Sequence, residues 1–243
     1  MTFPFLAEWQ LEAVRLIFLS NVPVSGAQKN WWHMAIGSDP ASIASRPAQM
    51  EHQEAGSFDG AELVMTTRFN HVEWALRPQP SAPVSNELMN VGSGEAALHR
   101  IDEPMLRWAR ESKFPFQRIA FAPIFFRPAD DLLQASRVAT SYFPGFSGRD
   151  VEDFFGQFNI AKMSETISGV KINRIMKIGA GQVQTFTIGP TPAPVVESKY
   201  VTRIELDFNT AVDRREPISI DVLPSLLAEI QKEAAKVVSR GLL

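Results

Sequence analysis

The sequence contains no cysteine among its 243 residues. This absence excludes disulfides, thiolate zinc sites, iron–sulfur clusters and thiol nucleophiles. The amino terminus lacks a basic segment followed by a long apolar run, which a secretory signal needs. No stretch of the sequence approaches the roughly 20 apolar residues that cross a bilayer. We therefore expect a cytoplasmic protein without a membrane partner.

A surplus of basic residues is also missing. The chain has 24 Lys and Arg residues against 27 Asp and Glu residues, which gives a formal net charge of -3. The densest basic pair, Arg214-Arg215, is flanked by Asp213 and Glu216. Proteins that bind nucleic acid through phosphate neutralisation usually carry a basic stripe or patch. We expect no nucleic-acid partner.

Motifs that specify a chemistry are absent as well. The four histidines, His33, His52, His71 and His99, form none of the spacings that place two imidazoles on a metal. No nucleophile elbow or phosphate-binding loop is present, and Gly179-Ala180-Gly181 is interpreted as a hairpin turn. The sequence thus predicts no catalytic residue, no metal site and no cofactor.

Charged groups near His52 and at helix starts have ordinary explanations. Glu51 and Glu54 flank His52 in a segment interpreted as a polar loop, which favours a structural or solvent-exposed role for the imidazole. The acidic pairs Asp102-Glu103, Asp130-Asp131 and Glu152-Asp153 fall at predicted helix starts, where negative charge offsets the helix dipole.

Hydrophobic periodicity predicts seven strands and at least five helical segments. Adjacent hairpins imply a mainly antiparallel sheet with helices packed on one side, hence an α+β fold. Residues 38–60, 79–94 and 190–198 are predicted connections. The predicted strands are Val14–Val22, Ala61–Thr67, His71–Arg77, Gln117–Phe126, Val170–Ile178, Gln182–Ile188 and Lys199–Asn209. The predicted helices are Ser25–Met34, Glu95–Ser112 with a break near Pro104, Asp130–Ser141, Asp150–Phe158 and Pro224–Arg240.

One pattern recurs half a chain later. A strand, a proline, a helix and a glycine follow one another in residues 12–37 and again in residues 117–145, and the prolines Pro23 and Pro128 are 105 positions apart. This spacing favours two pseudo-repeated β-α-β-β-α halves, residues 1–114 and 115–243, which form either two units or one continuous domain. The alternative is a coincidental order of elements, since residue identity between the halves is negligible.

The candidate binding residues are aromatic or lie on one strand face. Trp31 and Trp32 are adjacent, so a helix should not bury both, and His33 follows them where the helix meets a long connection. Tyr142 and Phe143 occupy the corresponding place in the second half. A third group shares the wet face of the last strand: Arg203, Glu205 and Asp207.

Three short segments carry a resemblance to other proteins. The strand RIELDFNTA (Arg203–Ala211) before an amphipathic helix, the strand Val72-Glu73-Trp74 and the segment FQRIAF (Phe116–Phe121) resemble a sporadically distributed family of uncharacterised bacterial proteins of similar length. The matching segments cover about a fifth of the chain, and the resemblance implies no activity.

The sequence leaves three functions open. The first is a non-catalytic accessory subunit, of the antitoxin type, that binds another protein or self-associates, which the missing motifs and paired aromatics favour. The second is a small-molecule or lipid-binding module with an apolar cavity between the last strand and the last helix. The third is an enzyme whose site uses scattered residues such as His33, Arg203, Glu205 and Asp207.

Overall fold

A computed structural model describes residues 6–24, 30–79, 88–143, 145–146, 150–187, 195–211 and 216–241. Within these residues, ten strands form one sheet in which every pairing is antiparallel, and five α-helices accompany it. The strands are β1 Gln10–Leu19, β2 Ser42–Arg46, β3 Glu51–Phe58, β4 Ala61–Arg68, β5 His71–Arg77, β6 Arg118–Ala129, β7 Phe155–Asn159, β8 Lys162–Met163, β9 Lys171–Thr187 and β10 Val195–Thr210. The helices are α1 Trp31–Ile36, α2 Gly94–Ala97, α3 Asp102–Ser112, α4 Leu132–Ser141 and α5 Leu223–Arg240.

The strand order across the sheet is β2-β3-β4-β5-β1-β6-β10-β9-β7, and β8 also pairs with β9. The two halves of the chain therefore meet at the β1–β6 pair, where Leu16 lies opposite Phe121. In each half the first strand pairs with the last strand of that half, β1 with β5 and β6 with β10. Both halves contribute to one uninterrupted sheet.

The core contains alternate residues of the central strands. Leu16, Phe18, Phe121 and Ile204 are at most 1% exposed, and they belong to one cluster with residues of the helices. The helical members of that cluster include Trp32, Ala35, Trp108, Ala139, Leu227, Ile230 and Val238. The residues between these strand positions point to the other side of the sheet, because successive side chains of a strand alternate. We call that side the polar face.

Several predicted elements are confirmed. The hairpin around Phe69-Asn70 joins β4 to β5. Helix α4 is confirmed but begins two residues after its predicted start at Asp130, because the Asp131 carboxylate caps it by accepting the backbone N–H of Gln134 at 2.7 Å. The predicted break before Pro104 separates α2 from α3, although the structure gives α3 no side-chain cap. Ser25, where the first helix is predicted to begin, lies outside the described residues.

The predicted connection at residues 38–60 is wrong, because it forms β2, β3 and a 3-10 turn. The segment lacks hydrophobic periodicity because β2 lies at the sheet edge and is exposed along its whole length. Gly56 allows β3 to approach α1, since a Cβ there would lie 2.9 Å from Trp32 Cζ2.

The second half differs from its prediction at residues 155–159, at residues 179–181 and at residues 195–198. Residues 155–159 form β7 instead of the end of a helix, and Gly179-Ala180-Gly181 continues β9 instead of closing a hairpin. A proline within a strand predicts either a bulge or an edge position. Pro123 lies in the central strand β6, close to the shift in the β1–β6 register, and its missing N–H coincides with a gap in the β6–β10 register between Ile124 and Phe121. Residues 195–198, predicted as part of a connection, begin β10.

No helix in the described part of the chain is long and apolar enough to cross a membrane.

Candidate functional site

A charged cluster lies on the polar face where β1, β6 and β10 run side by side. The Arg203 guanidinium donates from Nε to Glu12 Oε2 at 2.6 Å and from Nη2 to Glu12 Oε1 at 3.0 Å. Arg203 also contacts Glu205, whose Oε2 lies 3.9 Å from Lys177 Nζ. The hydrogen bond to Glu12 raises the pKa of Arg203, against the effect of burial. Each positive charge in this cluster thus faces a carboxylate.

A β-bulge brings Glu12 into this cluster. The register between β1 and β6 shifts between Leu11 and Ala13, so Glu12 is the extra residue of the bulge. Leu11 remains fully buried in the core. The bulge turns Glu12 to the polar face, where it reaches across β6 to Arg203. The sequence pattern gave no sign of this contact, since bulge positions follow from pairing between distant strands.

Asp207 belongs to a different set of hydrogen bonds on the same face. Its Oδ1 accepts from Asn209 Nδ2 at 2.9 Å, and Asn209 Oδ1 in turn accepts from Asn173 Nδ2 at 3.0 Å. The structure therefore places Arg203, Glu205 and Asp207 on one face of β10. It divides them between an ion-pair cluster and an amide network.

A cleft opens beside the charged cluster, at the end of β7. Its volume is about 230 Å³. The small residues Gly179 and Gly181 leave room above β9, and Val201 contributes from the neighbouring strand. Phe155 forms one wall and is 67% exposed, while Arg203 and Glu205 line the other side.

Phe155 is positioned by a close contact with the backbone of β9. A Cβ on Gly179 would lie 3.3 Å from Phe155 Cδ2 and 3.2 Å from the carbonyl oxygen of Phe154. Gly179 thus lets the ring lie against the sheet. A Cβ on Gly181 would meet nothing within 4 Å, so the cleft is open above that residue. The arrangement offers an apolar slot bordered by paired charges.

Trp31 and Trp32 are both buried, so the expectation that one helix cannot bury both is wrong. Trp31 packs edge-on against Trp108 and Phe114, with ring centroids 5.4 Å apart in each case. Trp32 lies 6.1 Å from Trp74. The short helix α1 is enclosed from two directions, by α3 and by the sheet, so two adjacent side chains find apolar partners.

His33 remains at the surface. Its side chain is 59% exposed, and Nδ1 lies 3.7 Å from Asp39 Oδ1, whose side chain is 96% exposed. The histidine and the two tryptophans therefore do not converge on a common pocket.

Tyr142 and Phe143 hold α4 in place. The Tyr142 hydroxyl donates to the backbone carbonyl of Val238 in α5, and burial raises the pKa of that hydroxyl. Phe143 packs against Phe154 and Phe158, with centroids 4.8 and 4.7 Å away. These contacts are those of packing residues.

The structure brings together a group that the sequence interpretation separated. Ser45 Oγ lies 2.9 Å from His52 Nδ1, and His52 Nε2 lies 2.9 Å from Glu54 Oε1. The segment is strand β3 and not a polar loop, so His52 and Glu54 share a face at i and i+2. Ser45 is the residue of β2 directly opposite His52. Recognising residues 51–58 as a strand would have revealed the pair.

Metal binding finds no support in the described residues, among which no three histidine, aspartate or glutamate side chains are grouped to hold an ion. Comparison of the sequence with protein-family models gives no match, and comparison with curated proteins gives no significant match.

Proposed function

We propose that this protein binds a segment of another polypeptide at the cleft beside Phe155, as an accessory subunit without catalysis at that site. The observation that carries the proposal is the exposed Phe155 ring next to an open slot above Gly181. Exposed aromatic side chains beside a polar rim are typical of protein-binding hot spots.

The volume of the cleft suits one side chain of a partner protein better than a complete small-molecule ligand. Its volume of about 230 Å³ lies below the range of roughly 300–1,000 Å³ for sites that enclose small molecules. The alternative of an apolar cavity under α5 is less well supported, since Phe208, Leu227 and Ile230 are at most 1% exposed within one packed cluster. A partner that inserts one apolar side chain fits this geometry.

The balance of charges at the border of the cleft also supports a polypeptide as the partner. Arg203 is engaged by Glu12 and Glu205, and Glu205 also faces Lys177, so the border of the cleft is close to neutral. A site for phosphate or an anionic membrane would leave a cation uncompensated. We propose a neutral polypeptide segment as the partner, in a cytoplasmic setting.

A pair of matched variants tests the proposal. Phe155 and Phe69 are exposed by 67% and 53% at different parts of the sheet. Tagged wild-type protein, Phe155→Ala and Phe69→Ala are compared by quantitative mass spectrometry of the proteins that co-purify. We expect a partner that wild type and Phe69→Ala retain and Phe155→Ala loses. Identical sets for all variants would refute the proposal.

The architecture also supports a proposal about origin. We infer that the two halves are pseudo-repeats, with all five helices on the side of the sheet opposite the polar face. In both halves the first strand precedes a helix, four further strands follow, and a helix ends the half. The sheet order is symmetrical about the β1–β6 pair through β5 and β10. A duplicated sheet of this kind leaves one broad face for partners.

Ser45, His52 and Glu54 favour a second candidate function, nucleophilic hydrolysis of an ester. A base within hydrogen-bond reach of a hydroxyl, itself oriented by a carboxylate, is the signature of an activated serine. Glu54 is 8% exposed, and in the tautomer with the proton on Nε2, His52 donates to Glu54 while its Nδ1 accepts the proton of Ser45 Oγ. Ser45 would then attack the carbonyl carbon, and His52 would return the proton to the leaving alcohol. Water, deprotonated by His52, would next attack the acyl group on Ser45, which releases the acid and returns the proton to Ser45 Oγ.

Labelling with a fluorophosphonate tests this second function. The probe forms a bond from phosphorus to the serine oxygen and releases fluoride, so a mass shift on Ser45 reports its reactivity. Ser42 lies on the same exposed strand and serves as the control. We expect Ser45→Ala and His52→Ala to abolish the adduct and Ser42→Ala to retain it. An unlabelled wild type, or an adduct that survives His52→Ala, would reject the relay.

A further inference from the structure

The hairpin of β9 and β10 extends beyond its neighbours in the sheet. β7 pairs with β9 from Phe155 opposite Gly179 onward, and β6 pairs with β10 from Ala129 opposite Tyr200 onward. Past these points, within the described residues, β9 and β10 pair only with each other, up to Thr187 opposite Val195. A two-stranded ribbon is marginally stable in water when it lacks further partners.

The outer edge of β9 continues in this region past its last pairing with β7, at Gly179. The Ala180 N–H donates outward to the carbonyl of Phe154 at 3.1 Å. Donors alternate between the two sides of a strand in an antiparallel ladder, so the N–H groups of Gln182, Gln184 and Phe186 point to the same outer side. These groups meet no strand in the described part of the chain, and they form a template for another strand.

Nothing in the residues of this edge opposes pairing with an identical strand. Residues 182–187 read QVQTFT and contain no charge and no proline. Native sheets protect exposed edges with lysine, proline or inward-pointing charges. By contrast, the opposite edge of the sheet, β2, ends in a charged residue, Arg46.

We propose that two copies of this chain associate through antiparallel pairing of their β9 edges, with the two-fold axis at Gln184. In this register each Gln184 N–H donates to the carbonyl of the partner's Gln184, and Gln182 exchanges hydrogen bonds with the partner's Phe186. The interface is isologous, so it closes as a dimer instead of growing into a fibre. Joined through these edges, the two sheets form one continuous sheet.

Gln182 lines the cleft and also lies on the paired edge of β9. Sedimentation reports the dimer and co-purification reports the partner polypeptide, so each proposal can fail without the other. A monomeric wild type that still binds its partner through Phe155 would refute the dimer alone. A dimer that binds no partner would refute the proposed function alone.

Charge complementation at Gln184 tests the dimer. Sedimentation velocity of the full chain at increasing concentration gives the fraction of dimer for wild type, Gln184→Lys, Gln184→Glu and an equimolar mixture of the two variants. On a two-fold axis each variant opposes its own charge, so we expect at least a tenfold weaker dimer for each variant alone and recovery in the mixture. Gln184→Ala, which keeps the backbone donors, should remain dimeric.

Two results would overturn the proposal. One is a wild type that stays monomeric at concentrations of several hundred micromolar. The other is a dimer that is equally strong in the separate charge variants and in their mixture, which would place the interface elsewhere. Circular dichroism of each variant verifies that the fold persists.

Discussion

Arg203 and Glu12 are 191 positions apart in the sequence, yet two hydrogen bonds of 2.6 and 3.0 Å join them on the polar face. The contact crosses β6 and links the first strand of one half to the last strand of the other. This ion pair borders the cleft that we propose as a binding site, and it fixes the position of the Arg203 side chain that lines the cleft.

The energetic coupling of this ion pair can be measured with a double-mutant cycle. The two side chains are 35% and 37% exposed, so solvent screening reduces the interaction, and we expect a coupling free energy of about 0.5–1 kcal/mol. Glu12→Ala, Arg203→Ala and the double variant are compared by urea unfolding. A coupling indistinguishable from zero would show that the two charges do not stabilise the junction.

Substitution of glycine by alanine should have different effects on stability at Gly56 and at Gly181. A Cβ on Gly56 would lie 2.9 Å from Trp32 Cζ2, and one on Gly181 would meet nothing within 4 Å. We expect Gly56→Ala to lower the free energy of unfolding by about 1–3 kcal/mol through overpacking, and Gly181→Ala to change it by less than about 0.5 kcal/mol. Thermal or urea unfolding measures both. Equal effects would contradict the packing of α1 against β3.

Much of the fold is predictable from sequence where periodicity is strong. The alternation in residues 199–209 and the apolar stripe of α5 arise because one face of each element is buried, so pattern and structure agree. The edge strand β2 has no buried face and therefore no pattern. Phe154 precedes β7, and Phe155 and Phe158 lie within it. The spacing of these three residues imitates a helical stripe.

The candidate site was predictable only in part. Arg203 and Glu205 follow from the wet face of one strand. Glu12, Lys177 and Phe155 come from three other strands, and their approach depends on strand order and on a bulge, which local sequence does not encode. For the same reason, Ser45 could not be assigned to His52 before β2 and β3 were known to pair.

The acidic residues Asp130 and Asp131 are adjacent and differ in function. The Asp131 carboxylate caps α4 through the Gln134 N–H, while Asp130 contributes its backbone N–H to the Gln134 side chain. We expect Asp131→Ala to cost about 1 kcal/mol of stability and Asp130→Ala much less. Urea unfolding of the two variants measures the difference. A larger loss for Asp130→Ala would contradict the cap.

The lowered pKa values of two carboxylates in α5, Glu229 and Glu233, lead us to expect a loss of stability in acid. Burial raises the pKa of Glu229, but hydrogen bonds from Glu165, Ser164 and Thr166 outweigh it and lower that pKa below its ordinary value of 4.5. Burial likewise raises the pKa of Glu233, and its interactions with Lys236 and Lys162 lower it overall.

The sign of the effect follows from linkage. Both pKa values are lower in the folded state, so the stabilisation is complete above about pH 4.5 and is lost as the pH falls through the folded-state values. Urea unfolding from pH 7 to pH 3 should show this decline, and Glu229→Gln with Glu233→Gln should flatten it. An unchanged pH dependence in the double variant would assign the decline to other groups.

The most direct test of the central claim fills the cleft and leaves the fold intact. Gly181 lines the slot, has ordinary strand geometry and has free space above it, so Gly181→Phe places a ring where the partner side chain would insert. The affinity of the co-purified partner is measured by calorimetry for wild type, Gly181→Phe and the control Phe69→Ala. We predict that Gly181→Phe weakens binding at least tenfold while Phe69→Ala matches wild type. Wild-type affinity in Gly181→Phe would contradict a binding site at this cleft.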